Sequence, residues 1–344
     1  MSAEHSTAST SGVILAGTFP WANSAFDRLS PRPLVPVAHR ALIAHGLSWL
    51  QNAGMRNVIV CANRNSRDVE TQLALNFSDI DLTYLEDTMP RGAAGCVADA
   101  ANTCDSQTFV VTDAAAIPTV NLRDLLRAHW NTGAAATVVV YHEASGPVQA
   151  ALQVPAGVYV FEHRILDQIS RSGFADIKEH LIPALVRRGE KVTTFVTDSP
   201  VPRVLDAKTY LAVNEFVTQQ MVFNRTVPEG YSLIAGSLIH RDATVEPDAI
   251  LVGPVMVGPC ATIQSRAVVI GPTSIGSDVT VASGALVSRS AVWRRSRVQE
   301  NAIVDRSILA DGAIIGRDRQ VYGTVVASDS RSRTPGRAVA SRRF

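Results

Sequence analysis

The sequence predicts a doubly wound, mostly parallel α/β domain followed by a parallel β-helix. Three observations carry this expectation. Up to about Asn214, short apolar runs alternate with segments whose apolar residues fall at helical spacing. From about Tyr231 onward, one aliphatic residue recurs at every sixth position. The chain has 344 residues, more than one typical domain, and an apolar fraction of 46%, sufficient for sizeable cores.

The elements follow in order. Residues 1–11 are Ser/Thr-rich, without the basic-then-apolar order of a signal peptide, and are expected to be a disordered leader. GVILAG reads as a short buried strand, and ALIAHGLSWLQNAG as a helix ending near Gly54. NVIVCAN, DLTYLED and QTFVVTDA read as strands two to four, with CVADAANTC a helix between the last two. AATVVVYHE and AGVYVFE supply strands five and six. Such alternation implies right-handed crossovers, with ligands at the carboxyl ends of the strands. The rim to read chemically is therefore the loop after Ala16, the loop after Val111 and the Pro90–Gly95 turn. This domain is expected over residues 12–226.

In the second half, Leu233, Ile239, Val245, Leu251, Val257, Ile263, Val269, Ile275, Val281 and Val287 are six residues apart. Small or β-branched residues such as Ala243, Ala261, Ala267 and Ala285 stand two positions before them. A helix would repeat at three and four and a meander at two, so a period of six indicates triangular coils with the aliphatic residue inside. Gly258 and Gly276 are expected at tight corners. The phase slips around Trp293–Gln299 and resumes at Ile303, Leu309, Ile315 and Val321, which suggests a looser coil or a small insertion. This domain is expected over residues 231–327, with 328–344 a basic, disordered tail.

A formal charge of +1 argues against a nucleic-acid surface, and no run of eighteen apolar residues is available to span a membrane. Cys61, Cys96, Cys104 and Cys260 are scattered without metal-ligand spacing, as expected of reduced cysteines in a cytoplasmic protein.

From Val13 to about Val326 the chain resembles the sugar-phosphate nucleotidyltransferases, NDP-sugar pyrophosphorylases of the mannose-1-phosphate guanylyltransferase type. VILAG resembles the start of the family's nucleotide loop, and SPRPLVPVAHRALIAHGLSWL its proline-lysine-proline stretch with the following helix. PRGAAG resembles the base-binding PxGTAG turn, and AGVYVFE the strand closing the sugar pocket. DIKEHLIPALVRRGEKV and DAKTYLAVNEF resemble the later helices and return strand. The resemblance implies a left-handed β-helix and a nucleotide or NDP-sugar ligand. It implies nucleotide contacts at Leu15, Ala16, Gly17, Thr18, Arg32, Pro90, Gly92 and Asp113, and sugar contact at Gly157.

The family's reaction transfers a nucleotidyl group from an NTP to a sugar 1-phosphate, and it depends on positioning and charge neutralisation. That requires backbone N–H groups in a concave loop, a cation near the leaving phosphates, and carboxylates holding Mg²⁺. This sequence departs at each point. Where the family's loop reads GGxGTRL, Thr18 replaces the second glycine, Pro20 the third and Ala22 the arginine, with bulky Trp21 alongside. Arg28 and Arg32 are the cations left nearby, and Arg32 matches the family's lysine. An ungapped alignment puts Ala115 at the metal aspartate of NGD, whereas a shift of two would make Asp113 that ligand. Arg203 falls at the second metal aspartate, and only ASGPVQAALQVP remains where the family's sugar-holding segment usually spans several dozen residues.

The leading expectation is a homologue with impaired catalysis, with Arg32 and Asp113 as residual catalytic candidates and with no metal or cofactor assigned. It would act as a regulatory or scaffold subunit or a nucleotide or NDP-sugar binder. The β-helix would build a homo-oligomer, or a hetero-oligomer with an active paralogue. The alternative is an active nucleotidyltransferase using Mg²⁺ with Arg28, Arg32, Asp113 and Asp206. Acyl transfer on the β-helix would need a base between coils, and His240 on the first coil is the only histidine in the repeats, more readily a solvated turn residue. His39 with Arg40, Glu86 with Asp87, and the Arg294/Arg295/Arg297 corner patch read equally as solvated surface.

Overall fold

Thr10–Leu15 (TSGVIL) is an apolar, β-branched run suited to the middle of a sheet, and as β1 it takes that place. The computed structural model describes residues 9–17, 25–63, 68–73, 77, 79–87, 90–143, 152–198, 200–328 and 340–341. The TFPWAN loop with Thr18, Pro20, Trp21 and Ala22 lies outside the described residues, as do ASGPVQA, most of the leader and most of the tail. The chain divides into two units. The first comprises Met1–Phe19, Pro31–Leu34 and Ala41–Pro202, and the second Pro20–Ser30, Val35–Arg40 and Arg203–Phe344.

The first unit is built on seven strands. After the short β2 (Pro36–Val37) and β3 (Arg40–Ala41), the chain adds β4 (Asn57–Asn63), β5 (Asp81–Asp87), β6 (Thr108–Asp113), β7 (Ala136–Glu143), β8 (Leu152–Glu162) and β9 (Val192–Thr197). The order in the main sheet is β5-β4-β1-β6-β8-β7-β9. All neighbours are parallel except β8, which runs antiparallel to both β6 and β7. The expected strands therefore form a doubly wound sheet with one reversed member.

Helices α1 (Leu42–Asn52), α2 (Asp68–Leu73) and α4 (Leu122–Thr132) cover one face around Ile14, Leu47, Leu50, Val60 and Val110. On the other face, α3 (Gly92–Ala101), α5 (His163–Leu166) and α6 (Ile182–Arg187) pack around Val13, Val97, Phe109, Val111 and Phe161. Each fully buried side chain of this size contributes about 1.5–3 kcal/mol relative to exposure.

The second unit holds a helix that the expected boundary at residue 226 assigns to the first domain. This helix, α7 (Ala207–Phe223), packs with the β-helix through two buried polar residues. Asn214 Oδ1 accepts from Ser274 Oγ at 3.2 Å and from Ala38 N–H at 3.0 Å. Trp293 Nε1 donates to the Tyr210 hydroxyl at 2.8 Å, which donates to the Pro36 carbonyl at 2.6 Å. The Phe26 ring packs, tilted, against Tyr210 at 5.2 Å, so residues just past the TFPWAN loop belong to this core.

The β-helix has three inward columns: Ile239, Val257, Ile275, Val292, Leu309, Val326; then Val245, Ile263, Val281, Val298, Ile315; then Leu251, Val269, Val287, Val304, Val321. The early coils contain eighteen residues, with Val245 opposite Ile263 and Leu251 opposite Val269. From Ser274 onward the coils contain seventeen, with Ile275 opposite Val292 and Val287 opposite Val304. The phase slip is therefore neither a looser coil nor an insertion. One residue is lost from the same corner in each later coil, and the inward residue of the third column is Val304 rather than Ile303.

A ladder of buried hydroxyls accompanies the shortened corner. Ser290 N–H donates to Thr273 Oγ1 at 3.3 Å, Ser307 N–H to Ser290 Oγ at 3.0 Å, and Thr324 N–H to Ser307 Oγ at 3.2 Å. Gly258 and Gly276 stand at corners where, as expected, no side chain fits. Neither has positive φ; an added Cβ would lie 2.9 Å from the backbone of the next coil, so close stacking excludes a side chain. Both ends of the first column's sheet are closed by antiparallel strands, β10 (Tyr231–Ile234) on β11 (Ser237–His240) and Ala340–Ser341 on Val325–Val326. Part of the expected disordered tail thus forms a strand.

Candidate functional site

The carboxyl ends of β1, β4, β5 and β6 lie on one rim because these strands are parallel. There the backbone is already engaged. Ala16 N–H donates to the Cys61 carbonyl at 2.8 Å, and the Leu15 carbonyl accepts from Ala114 N–H at 3.0 Å. Gly17 is exposed, and among the described residues a Cβ added to it would meet only Asn63, at 3.6 Å. Asp113 ends β6, and its Oδ1 accepts from Ala115 N–H at 2.8 Å. That bond fixes the turn in which Ala115 presents only a methyl group. Arg32 opens a short 3-10 turn and, like Asp113 and Glu86, has partners within the chain.

The PRGAAG turn is closed by a segment that sequence reasoning did not connect to it. The Ala175 carbonyl accepts from Ala94 N–H at 2.9 Å and from Gly95 N–H at 3.3 Å, while Ala175 N–H donates to the Arg91 carbonyl at 2.8 Å. These are first-turn amides of α3, the donors a helix N-terminus would offer an anion. Gly92 has φ +74°, and a Cβ there would lie 2.5 Å from the Ala175 oxygen. Its glycine is thus required by the fold. Pro90 precedes the turn and is exposed. Gly157 has φ +79° and is buried beside the register shift between β7 and β8, which also accounts for glycine there.

Beside this turn is a cavity of about 260 Å³, lined by Cys61, Leu85, Asp87, Arg91, Cys96 and Asp99, with Glu86 and Arg171. Arg91 donates from Nε and Nη2 to both oxygens of Asp99, each at 2.9 Å, and from Nη1 to the Ser170 carbonyl. The hydrogen bond to Asp99 raises the guanidinium pKa. Asp87 Oδ2 accepts from Arg91 N–H at 3.3 Å and from the Cys96 thiol at 3.5 Å. Burial, then the adjacent Asp87, pushes the Cys96 thiol up to about 12, and burial raises Cys61 as well. Both thiols therefore stay neutral and are poor nucleophiles. Arg91 and Asp99 were not singled out from the sequence. The available signal was a cation at a helix N-terminus, where the dipole disfavours it and a carboxylate partner is expected.

The remaining candidates lie in the second unit. Arg28 is exposed. Asp206 caps α7: its Oδ1 accepts from Thr209 N–H at 2.8 Å and Thr209 Oγ1 at 2.7 Å. Burial opposes its charge, but these bonds and Lys208 hold its pKa below the usual value. His39 is not a surface residue; its Nδ1 lies 2.8 Å from the Tyr231 hydroxyl, and burial, followed by nearby His240, lowers it to about 4. His240 is likewise no solvated turn residue. It packs edge-on against Tyr231, and its Nδ1 accepts from Asp242 N–H at 3.2 Å. Arg294 pairs with Asp311. Among the described residues, no group of three or more His, Cys, Asp or Glu is arranged to hold a metal ion, and no helix is long and apolar enough to cross a membrane.

A family profile described as nucleotidyl transferase matches residues 26–149, and one described as GMPPB C-terminal domain matches residues 251–335. These two matches relate the chain to the sugar-phosphate nucleotidyltransferases. It is 24% identical over 206 residues to the mannose-1-phosphate guanylyltransferase catalytic subunit beta of Drosophila melanogaster, covering 53% of this chain and 56% of that protein. A mannose-1-phosphate guanylyltransferase of Mycobacterium tuberculosis is 23% identical, covering 67% and 69%. The probable mannose-1-phosphate guanylyltransferase 3 of Oryza sativa is 26% identical over 322 residues, covering 85% and 83%. The match to the fly protein therefore spans little more than half its length. The nucleotidyl transferase match begins at residue 26, after the TFPWAN loop.

Proposed function

We propose that this chain binds a nucleotide or NDP-sugar on its α/β unit without efficient turnover, and serves as a regulatory or scaffold subunit in an oligomer built on its β-helix. The observation that carries this reading is the turn after β6. Asp113 is bonded to Ala115 N–H, and in the ungapped alignment with the family it is Ala115, not Asp113, that falls at the metal aspartate. In the same alignment Arg203 falls at the second metal aspartate, and neither a methyl group nor a guanidinium is a ligand for Mg²⁺. The start of the family match beyond the loop adds support. A cavity of about 260 Å³ is below the roughly 300–1,000 Å³ usual for drug-sized ligands and suits a base better than a whole NDP-sugar.

The test is thermal shift with a panel of NTPs and NDP-sugars, with and without Mg²⁺, beside an assay of pyrophosphate release. A ligand-specific shift with background turnover supports the proposal, whereas no shift with any ligand would remove it. Gly17→Trp should abolish that shift and is a cleaner probe than a Gly92 variant, because a Cβ at Gly17 clashes with none of the described residues whereas one at Gly92 meets the Ala175 oxygen. The alternative is an active, Mg²⁺-dependent enzyme, favoured by the position of Asp113 at the end of β6. Robust Mg²⁺-dependent pyrophosphate release would establish it.

A further inference from the structure

The segment from Ser170 to Ala175 crosses the PRGAAG turn and is fastened to it at both ends. At one end Arg91 Nη1 donates to the Ser170 carbonyl at 2.9 Å. At the other, Ala175 exchanges backbone bonds with Arg91, Ala94 and Gly95. Asp176 follows directly and caps the helical turn Ile177–Leu181, its Oδ1 accepting from Lys178 and Glu179 N–H at 2.7 and 3.1 Å. A short strap tied in this way presents its side chains from fixed positions, which lowers the cost of binding. Arg171 on this strap lines the cavity beside the turn, and Phe174 stands against Gly92.

Phe174 is placed unlike its neighbours. Ala175 and Ile177 pack into the cluster around Val97 and Phe161, whereas Phe174 stays outside that cluster and is 60% exposed. Its ring meets His180 edge-on, with centroids 6.1 Å apart. Its Cε2 atom lies 3.0 Å from where a Cβ on Gly92 would be, so glycine there leaves room for the ring. A phenyl ring held against a turn but left mostly in solvent contributes little to folding, and it keeps π surface open to a second ring. The adjoining cavity suits such a ring. Cys61, Leu85 and Cys96 give it an apolar wall, and Glu86 and Asp87 add a few polar groups.

We propose that Phe174 is the platform on which the base of the bound nucleotide or NDP-sugar stacks. The inference rests on the nucleotide-binding reading above, and it adds a residue from outside the PRGAAG turn. Every nucleobase has a π face, and a phenyl ring offers no hydrogen bond by which to choose among them. Phe174 therefore supplies affinity and leaves selection among bases to the polar groups of the cavity.

Calorimetric titration of the full chain with ATP, GTP, CTP, UTP, UDP-glucose and GDP-mannose tests this, with inorganic tripolyphosphate as the base-free control. Phe174→Ala should weaken every nucleotide that binds by about tenfold, within the range of a single base–aromatic stack, and leave tripolyphosphate unaffected. Phe174→Tyr should bind as the wild type does. Phe174→Leu keeps apolar bulk without a π face, and should bind as weakly as the alanine variant. Denaturant midpoints of all three should match the wild type, because the ring is largely exposed. Nucleotide binding that is indifferent to Phe174→Ala, or fully kept by Phe174→Leu, overturns the stacking role while leaving the nucleotide site in place. A wild-type protein that binds none of the six overturns the underlying reading and this inference together.

Discussion

The two units satisfy their backbone groups in different ways. In the β-helix, one coil supplies the partner for the next, and the same solution recurs: Thr273, Ser290, Ser307 and Thr324 make one ladder. At the α/β rim each amide has a singular partner, Cys61 for Ala16 and Ala175 for Ala94 and Gly95. Repetition writes the first arrangement into the sequence many times over. The second depends on segments up to about eighty residues apart meeting in space, which no local pattern announces.

The largest expected effect tests whether the rim's singular contacts have displaced catalysis. Pyrophosphate release from any NTP with a sugar 1-phosphate should remain at background, at least about a thousandfold below an active family member, because several preorganised charges are absent. Ala115→Asp with Arg203→Asp should restore little, since Ala22 replaces the loop arginine. Recovery of substantial turnover by this pair would show that the metal positions alone separate the chain from its active relatives.

The next effect belongs to the second unit and is pH-dependent. His39 is neutral when folded, with a pKa of about 4, whereas an unfolded histidine titrates near 6.5. Between these values the unfolded chain binds the additional proton, so stability is full above about pH 6.5 and falls as pH drops toward 4. The loss should total about 3 kcal/mol at the acid end of this window. His39→Asn suits the φ of +66° at this position and should flatten the dependence. Denaturant melts at about pH 7 and pH 5 would decide it: equal losses in wild type and variant exclude His39 as the source.

Much of the fold was legible because it rests on periodicity. The strands GVILAG, NVIVCAN and DLTYLED and the inward columns from Ile239 through Val287 lie where the patterns put them, whereas Leu233 falls in the antiparallel β10. The phase slip is visible in the sequence but its cause is not, because losing one corner residue and inserting several both disturb a period of six. At the site, the residue changes at Ala115 and Arg203 can be read directly. The clasp of Arg91 on Asp99 and the Ala175 carbonyl cannot, since they depend on tertiary proximity. His39 reads as surface from the sequence because two polar residues at a helix start usually are.

A smaller effect tests whether the repeated solution matters at one rung. Ser290 Oγ donates to the Ser288 carbonyl at 2.6 Å and accepts from Ser307 N–H. Ser290→Ala leaves that buried amide without this acceptor and should cost about 1–3 kcal/mol, while Ser290→Thr should cost less. Equal stability of the alanine and threonine variants would mean that the hydroxyl ladder follows from the corner's geometry and does not support it.

The smallest effect concerns Asp206, where a structural and a catalytic role make opposite forecasts. As the N-cap of α7 it satisfies Thr209 N–H, and Thr209 Oγ1 donates back to it. Asp206→Ala should therefore cost about 1 kcal/mol of stability, and Asp206→Asn or Asp206→Ser should recover most of it, because each retains an oxygen that can accept the Thr209 amide. The pH signature has a definite sign. Its folded pKa lies below the usual carboxylate value, so its contribution is present above the unfolded pKa and is lost as pH falls through the folded one. Ligand-induced thermal shifts should be unchanged in all three variants once their lower starting stability is taken into account. If Asp206→Ser restores stability but still abolishes the response to nucleotide or Mg²⁺, the residue is more than a cap, and the active-enzyme reading gains its second carboxylate.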